Sequence, residues 1–183
     1  MKYRTLGRTD FSVSEIGFGA WAIGGNQFGN SYGTTKDAES LQSIQKAIDL
    51  GCNFIDTADV YGHGHSESLI GKALNGNRQN VFIATKVGGD FYQGTTHLNF
   101  DPQYIRFAVE QSLKRLNTDY IDLYQLHNPP LHLIQEGSIF DVFFKLKSEG
   151  LIRAIGLSIF EPTEGIEAIR NDCIDCIQVV YNI

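Results

Sequence analysis

Tyr120-Ile121-Asp122-Leu123-Tyr124-Gln125-Leu126-His127 is a run rich in aromatic and branched residues that ends on an imidazole. Such residues suit a pleated, largely buried strand. Two earlier runs are built the same way. Asn53-Phe54-Ile55 leads to Asp56 and then to Tyr61, and Val81-Phe82-Ile83-Ala84-Thr85 leads to Lys86. In a chain that alternates strands and helices, these strand-to-loop junctions open on one face, where α/β barrels keep their chemistry. A carboxylate, a phenol, an ammonium and an imidazole converging there form a proton-delivery set, which points to an enzyme.

Working outward, residues 2–13 read as a hairpin with Gly7-Arg8-Thr9-Asp10 at its turn, and a strand follows at about Glu15 to Ala20. Ile23-Gly24-Gly25 opens a Gly/Asn-rich loop to Gly33, expected to lie outside the core. A helix is predicted from Thr34, with Asp37 closing a capping box and Gly51 ending it. Further helices are predicted from Ser66, from Asp101-Pro102, through Phe140 to Gly150 and from Pro162. Strands are expected at Phe54-Ile55, 81–86, 120–126, Ala154 to Leu157 and 177–181. Six β/α steps spaced by roughly 25–40 residues have the size of βαβ units. A dinucleotide fold of the doubly wound type would place G-x-G-x-x-G between strand and helix. Here Gly17-x-Gly19 runs into a long loop, so the fingerprint fails on context. The reading is an α/β chain of (β/α)8 TIM-barrel type, incomplete at about six units, with an N-terminal hairpin and a single domain over 1–183. A full barrel takes about 250 residues and eight strands.

Bulk properties are those of an ordinary soluble globular protein. An apolar fraction of 42% and a charged fraction of 20% are ordinary for a globular chain. A net charge of −6 argues against nucleic acid or an anionic membrane as partner. No apolar run suggests a membrane span, and the N-terminal Lys2, Arg4 and Arg8 precede no apolar stretch of a secretory signal. Cys52, Cys173 and Cys176 are an odd, sparse set that suits reduced cytoplasmic thiols.

These stretches resemble the aldo-keto reductase superfamily. The series runs from Leu6-Gly7 and Ile16-Gly17-Phe18-Gly19-Ala20-Trp21 to Asn53-Phe54-Ile55-Asp56-Thr57-Ala58-Asp59-Val60-Tyr61-Gly62. It continues through Gly71-Lys72-Ala73-Leu74, Ala84-Thr85-Lys86-Val87, Ser112 to Leu116, Asp119 to His127, Ile155-Gly156-Leu157-Ser158 and Gln178 to Asn182. Tyr61-Gly62-His63-Gly64-His65-Ser66-Glu67 is similar to the bacterial and plant branch. The resemblance implies reduction of a small-molecule aldehyde or ketone by hydride from NADPH. It assigns Tyr61 as proton donor, Lys86 as the ammonium that lowers the phenol's pKa, Asp56 as the lysine's partner and His127 as the group orienting the carbonyl oxygen. It also implies cofactor contacts at Ala20, Trp21, Asp56, Ser158 and Gln178, and no metal. Ile159 stands where many members have asparagine. The family's nicotinamide-stacking aromatic and phosphate-gripping basic residues follow strands seven and eight, so residues 1–183 alone are expected to be weakly active at best.

Blander readings stand beside these. Cys173-x-x-Cys176 lacks the further ligands of a zinc site and reads as two small buried residues flanking a turn. His63-x-His65 sits in a glycine-flanked loop, expected at the pocket mouth, and Lys114 and Arg115 read as a solvated helix face. Phe91, Tyr92 and Phe100 suggest an apolar patch in the 88–100 loop. Two other functions keep a place: a redox-sensing or regulatory subunit of the same fold, and a metal-dependent barrel hydrolase using His63, His65 and His127.

Overall fold

In the chain's computed structural model, residues 1–28 and 31–181 are described. Asn182 of the resemblance series and the middle of the 23–33 loop lie outside the described residues. An antiparallel hairpin, β1 (Tyr3–Thr5) and β2 (Ser12–Ser14), precedes the short β3 (Phe18–Gly19). Then come α1 (Asp37–Asp49), β4 (Phe54–Asp56), α2 (His65–Ala73) and β5 (Phe82–Val87). A two-stranded excursion, β6 (Gly89–Asp90) and β7 (His97–Leu98), leads to α3 (Pro102–Leu116) and β8 (Ile121–His127). The chain continues through α4 (Leu131–Glu136), α5 (Phe140–Ser148), β9 (Ile152–Ile159), α6 (Pro162–Arg170) and β10 (Cys176–Val179).

The main sheet is parallel, with strand order β10-β9-β8-β5-β4-β3. It is the curled sheet of an incomplete (β/α)8 barrel, as the sequence implies. Side chains alternate between its faces. Ile83, Tyr124, Leu126, Ile155 and Leu157 point outward and pack with Leu69, Ile105, Val109, Phe140 and Phe143 of the helices. Facing inward, Ala84, Leu123 and Ala154 share one register row and are covered by Phe11 and Val13 of the hairpin. The hairpin thus plugs the bottom of the sheet and leaves the upper inward rows for polar side chains.

Local chemistry explains where elements begin. Asp101 caps α3 by accepting from the Gln103 N–H at 2.7 Å, with Pro102 in the first turn. At α1 the expected Thr34 cap does not form: the helix begins at Asp37, whose carboxylate pairs with His65 at 2.8 Å. The β6–β7 hairpin arises in the segment read as the 88–100 loop, and α4 in a segment to which the sequence reading assigns no element. Ile23 and Gly24, expected outside the core, are buried in a short 3₁₀ turn. Cys173 and Cys176 are half-buried rather than sealed, and Cys176 belongs to β10. No helix among the described residues is long and apolar enough to cross a membrane.

Candidate active site

Inward rows of the sheet carry the polar side chains upward from the hairpin plug. Above Ala84 and Leu123 lies Lys86 beside Gln125, and above these His127, Ser158 and Gln178 align across β8, β9 and β10. The same period-2 alternation that buries the hydrophobic face therefore delivers the polar set to one end. Asp56 ends β4, in register with Gly19 and Ala84.

Tyr61 reaches the site from the turn after β4. Thr57 N–H donates to Ala84 O at 2.8 Å and Asp59 N–H to Lys86 O at 3.2 Å, so the turn is stitched along β5. The buried Ser66 hydroxyl bonds Thr57 Oγ1 and Ala20 O, each at 2.9 Å. Gly24 presses on the turn from the other side. A Cβ at Gly24 would meet the Tyr61 backbone carbon at 2.9 Å, and one at Gly62 would meet Gly24 O at 2.2 Å. Only glycine admits this backbone-on-backbone contact, and Gly62 also has φ of +60°.

Lys86 is 1% exposed, and its ammonium donates to Asp56 Oδ1 at 2.8 Å, Asp56 Oδ2 at 2.9 Å and Thr57 O at 2.8 Å. Its Nζ lies 5.2 Å from the centre of the Tyr61 ring. The Tyr61 and His127 rings meet edge-on at 5.9 Å, and Trp21 stands 6.5 Å from Tyr61. Gln178 donates to Asp56 Oδ2 at 3.3 Å and accepts from Gln125 at 3.1 Å. Trp21, Tyr61, Leu98, His127, Ser158 and Gln178 line a cavity of about 680 Å³. Ala20 stays behind its wall. It is fully buried, its N–H donating to Asp56 O and its carbonyl accepting from Ser66.

Burial sets the protonation states. His127 is held down to about 4 by desolvation, reinforced by the Lys86 charge, so its ring is neutral at neutral pH. Burial lowers Lys86, while the charge of Asp56 and its hydrogen bond favour the ammonium. The expected acidification of Tyr61 is not found. Desolvation pushes the phenol above its ordinary range, the charge of Asp56 adds to this, and a charge on Asp59 would add further. The physical reason is burial first, and the lysine's charge does not offset it because a carboxylate at 2.8 Å already matches that charge.

Other expectations are corrected here. Arg115 is no solvated face: it donates to the fully buried Glu67 at 2.7 Å and to the Tyr92 hydroxyl at 2.8 Å, while Thr85 donates to Glu67 at 2.6 Å. His63 stacks between Phe28 and Phe91 at 4.2 and 4.7 Å and bonds Thr96, and His65 opens α2. Neither lines the cavity, and among the described residues no group of three His, Cys, Asp or Glu side chains is placed to hold a metal. The cavity roof comes from Thr96, His97 and Leu98 of the hairpin, not from the aromatics of that loop.

A barrel with a polar row at the carboxyl ends of its strands is a scaffold that many enzyme classes share, and the sequence narrows the choice. The pattern of the Aldo/keto reductase family matches residues 15–183, and the chain belongs to that family. It is 40% identical over 188 residues to aldo-keto reductase YhdN of Bacillus subtilis, covering 100% of this chain and 54% of that protein. It is 37% identical over 196 residues to the NADH-specific methylglyoxal reductase of Escherichia coli, covering 100% and 60%. The holo form of aldo-keto reductase AKR11C1 from Bacillus halodurans superposes with a TM-score of 0.88 at 38% identity, over 99% of this chain and 58% of that one. The chain thus spans little more than half the length of these relatives.

Proposed function

We propose that the protein reduces small aldehydes or ketones to alcohols using NADPH, with Tyr61 as the proton donor. The observation that carries this is the common mouth shared by Tyr61, His127, Ser158 and Gln178, with the Lys86–Asp56 pair directly behind. When bound, the nicotinamide supplies the hydride that reaches the carbonyl carbon. The residues present suit such a group: the Ser158 hydroxyl and the Gln178 amide, neighbours in register, offer the donors and acceptors a carboxamide needs.

Neutral His127 can donate an N–H to the carbonyl oxygen and fix its direction. Because burial keeps the Tyr61 phenol protonated, it is available as an acid across the neutral range. An alkoxide is more basic than phenolate, so proton transfer from Tyr61 runs downhill once the oxygen gains charge. Lys86 then faces the phenolate, and Asp56 keeps the amine charged and aimed. With little more than half of its relatives' length, residues 1–183 hold the proton-delivery set, and we assign full turnover to the complete barrel.

The test is oxidation of NADPH, and separately of NADH, by the intact protein on addition of 4-nitrobenzaldehyde. Aldehyde-dependent loss of reduced nicotinamide, faster with NADPH, is expected. No oxidation of either cofactor would refute the reading, and a preference for NADH would overturn the cofactor assignment alone.

A further inference from the structure

Among the described residues, the buried charged side chains all have hydrogen-bond partners, except one. Asp122 accepts from Arg78, Arg153 and the Ile83 N–H. Asp90 accepts from Asn99 and the Tyr92 N–H. Glu67 is held by Arg115 and Thr85, and Lys86 by Asp56 and Thr57. Asp59 is 0% exposed, and neither of its carboxyl oxygens has a well-formed hydrogen-bond partner, although the Val60 N–H of its own turn lies near enough to pull weakly on the carboxyl. Lys86 with Asp56 and Arg115 with Glu67 each sum to zero, so a charge on Asp59 would have no counter-charge. An unpaired buried carboxylate is far more expensive than the neutral acid.

Asp59 is also close to the chemistry. It lies two residues before Tyr61 in the same turn, and its own N–H is bonded to Lys86 O at 3.2 Å. The groups that face it are Glu67 from α2, Arg115 from α3, Lys86 from β5 and the Val60 N–H of its own turn. Its charge is felt in turn by Tyr61, by Tyr92, by Tyr104 of α3 and by Tyr124 of β8.

We propose that Asp59 is a positioning residue for proton delivery, held as a neutral acid so that no second anion joins Asp56 beside the phenol of Tyr61. The proposal rests on the reading of Tyr61 as proton donor. Desolvation raises the carboxyl well above its ordinary value and Glu67 adds to the rise, against the opposing pull of Arg115, the Val60 N–H and Lys86. At neutral pH the site around the phenol then holds one ion pair and one uncharged acid. When Asp59 ionises at higher pH, an unmatched anion appears in the site. That anion opposes formation of phenolate, and transfer of the Tyr61 proton slows.

Two measurements on the intact protein test this. Labelling aspartate carboxyl groups with carbon-13 and recording infrared or NMR spectra at pH 7 is expected to show one protonated aspartic acid among ionised ones. Asp59→Asn removes that signal. In carbonyl reduction, D59N is expected to hold its kcat about one pH unit further into the alkaline range, so that it is about fivefold faster where wild type has fallen about tenfold. KM is expected to stay within about twofold, a split that a merely structural role would not produce. Absence of a protonated aspartate at pH 7 overturns the proposal, as do superposable alkaline limbs. If D59N does not fold, the wild-type spectrum decides alone. Loss of the donor reading is separately visible: Tyr61→Phe would retain its rate while the Asp59 signal persisted.

Discussion

Replacing His127 with glutamine is expected to remove a pH dependence of stability whose size follows from burial. The imidazole is depressed from 6.5 in the open chain to about 4 in the fold, by desolvation first and the Lys86 charge second. Between those values the unfolded chain carries a proton on this ring that the folded chain lacks. Stability therefore rises with pH through the window, is fully present above about 6.5, and is lost as pH falls toward 4. A gap of about 2.5 pH units, at about 1.4 kcal/mol per unit, amounts to about 3 kcal/mol. Many carboxylates also titrate in this range, so the useful quantity is the difference between wild type and H127Q, in which only this ring is changed. Urea unfolding at pH 7 and pH 4 is expected to show wild type losing about 3 kcal/mol more than the variant on acidification. Parallel stability curves, or an imidazole resonance titrating near 6.5 in the folded protein, would refute the reasoning. The outcome bears on chemistry as well, because a neutral ring is what makes His127 a hydrogen-bond donor free of net charge.

Arg115→Leu is expected to cost about 3–5 kcal/mol in denaturant unfolding, because Glu67 would be left fully buried with only the Thr85 hydroxyl. Adding Glu67→Gln to that variant is expected to recover a large part of the loss, and no recovery would deny that the uncompensated charge is the cause. Gly24→Ala drives a Cβ to 2.9 Å from the Tyr61 backbone. It is expected to lower kcat about tenfold by displacing the phenol, since a misplacement of about 1 Å can cost 10²-fold. An unchanged kcat would mean that the turn absorbs the methyl group elsewhere.

The barrel was legible because its strands are bounded by helices with strong end signals. Asp101-Pro102 starts α3 and Pro162 starts α6 as the sequence implies, Asp56 and His127 end their strands as expected, and Lys86 lies one residue before the end of β5. Convergence was legible for a related reason: alternation along parallel strands in fixed register places Lys86, Gln125, His127, Ser158 and Gln178 on one face. What failed was whatever depended on partners remote in sequence. Asp37 is expected to close a capping box with Thr34, its near neighbour in the chain, whereas the fold gives its carboxylate to His65, 28 residues on. Arg115 looked solvated from its helix alone, and only the crossing of α2 and α3 brings it to Glu67, 48 residues away. The sign at Tyr61 was missed because attraction to Lys86 is readable from residue types, while desolvation and saturation of the ammonium by Asp56 and Thr57 are not. Asp59 had a single sequence signal, a second carboxylic acid in the Asp56-to-Tyr61 turn, and no rule of spacing distinguishes a paired carboxyl from an orphaned one.

The central claim is that a carbonyl is protonated by Tyr61 as it is reduced. Measuring kcat of the Tyr61→Phe protein with an aldehyde at saturating NADPH, alongside cofactor affinity by fluorescence titration, tests it most directly. A loss of about 10²–10⁴ in kcat with cofactor affinity intact is predicted. A phenylalanine variant reducing the aldehyde within twofold of the wild-type rate would contradict it.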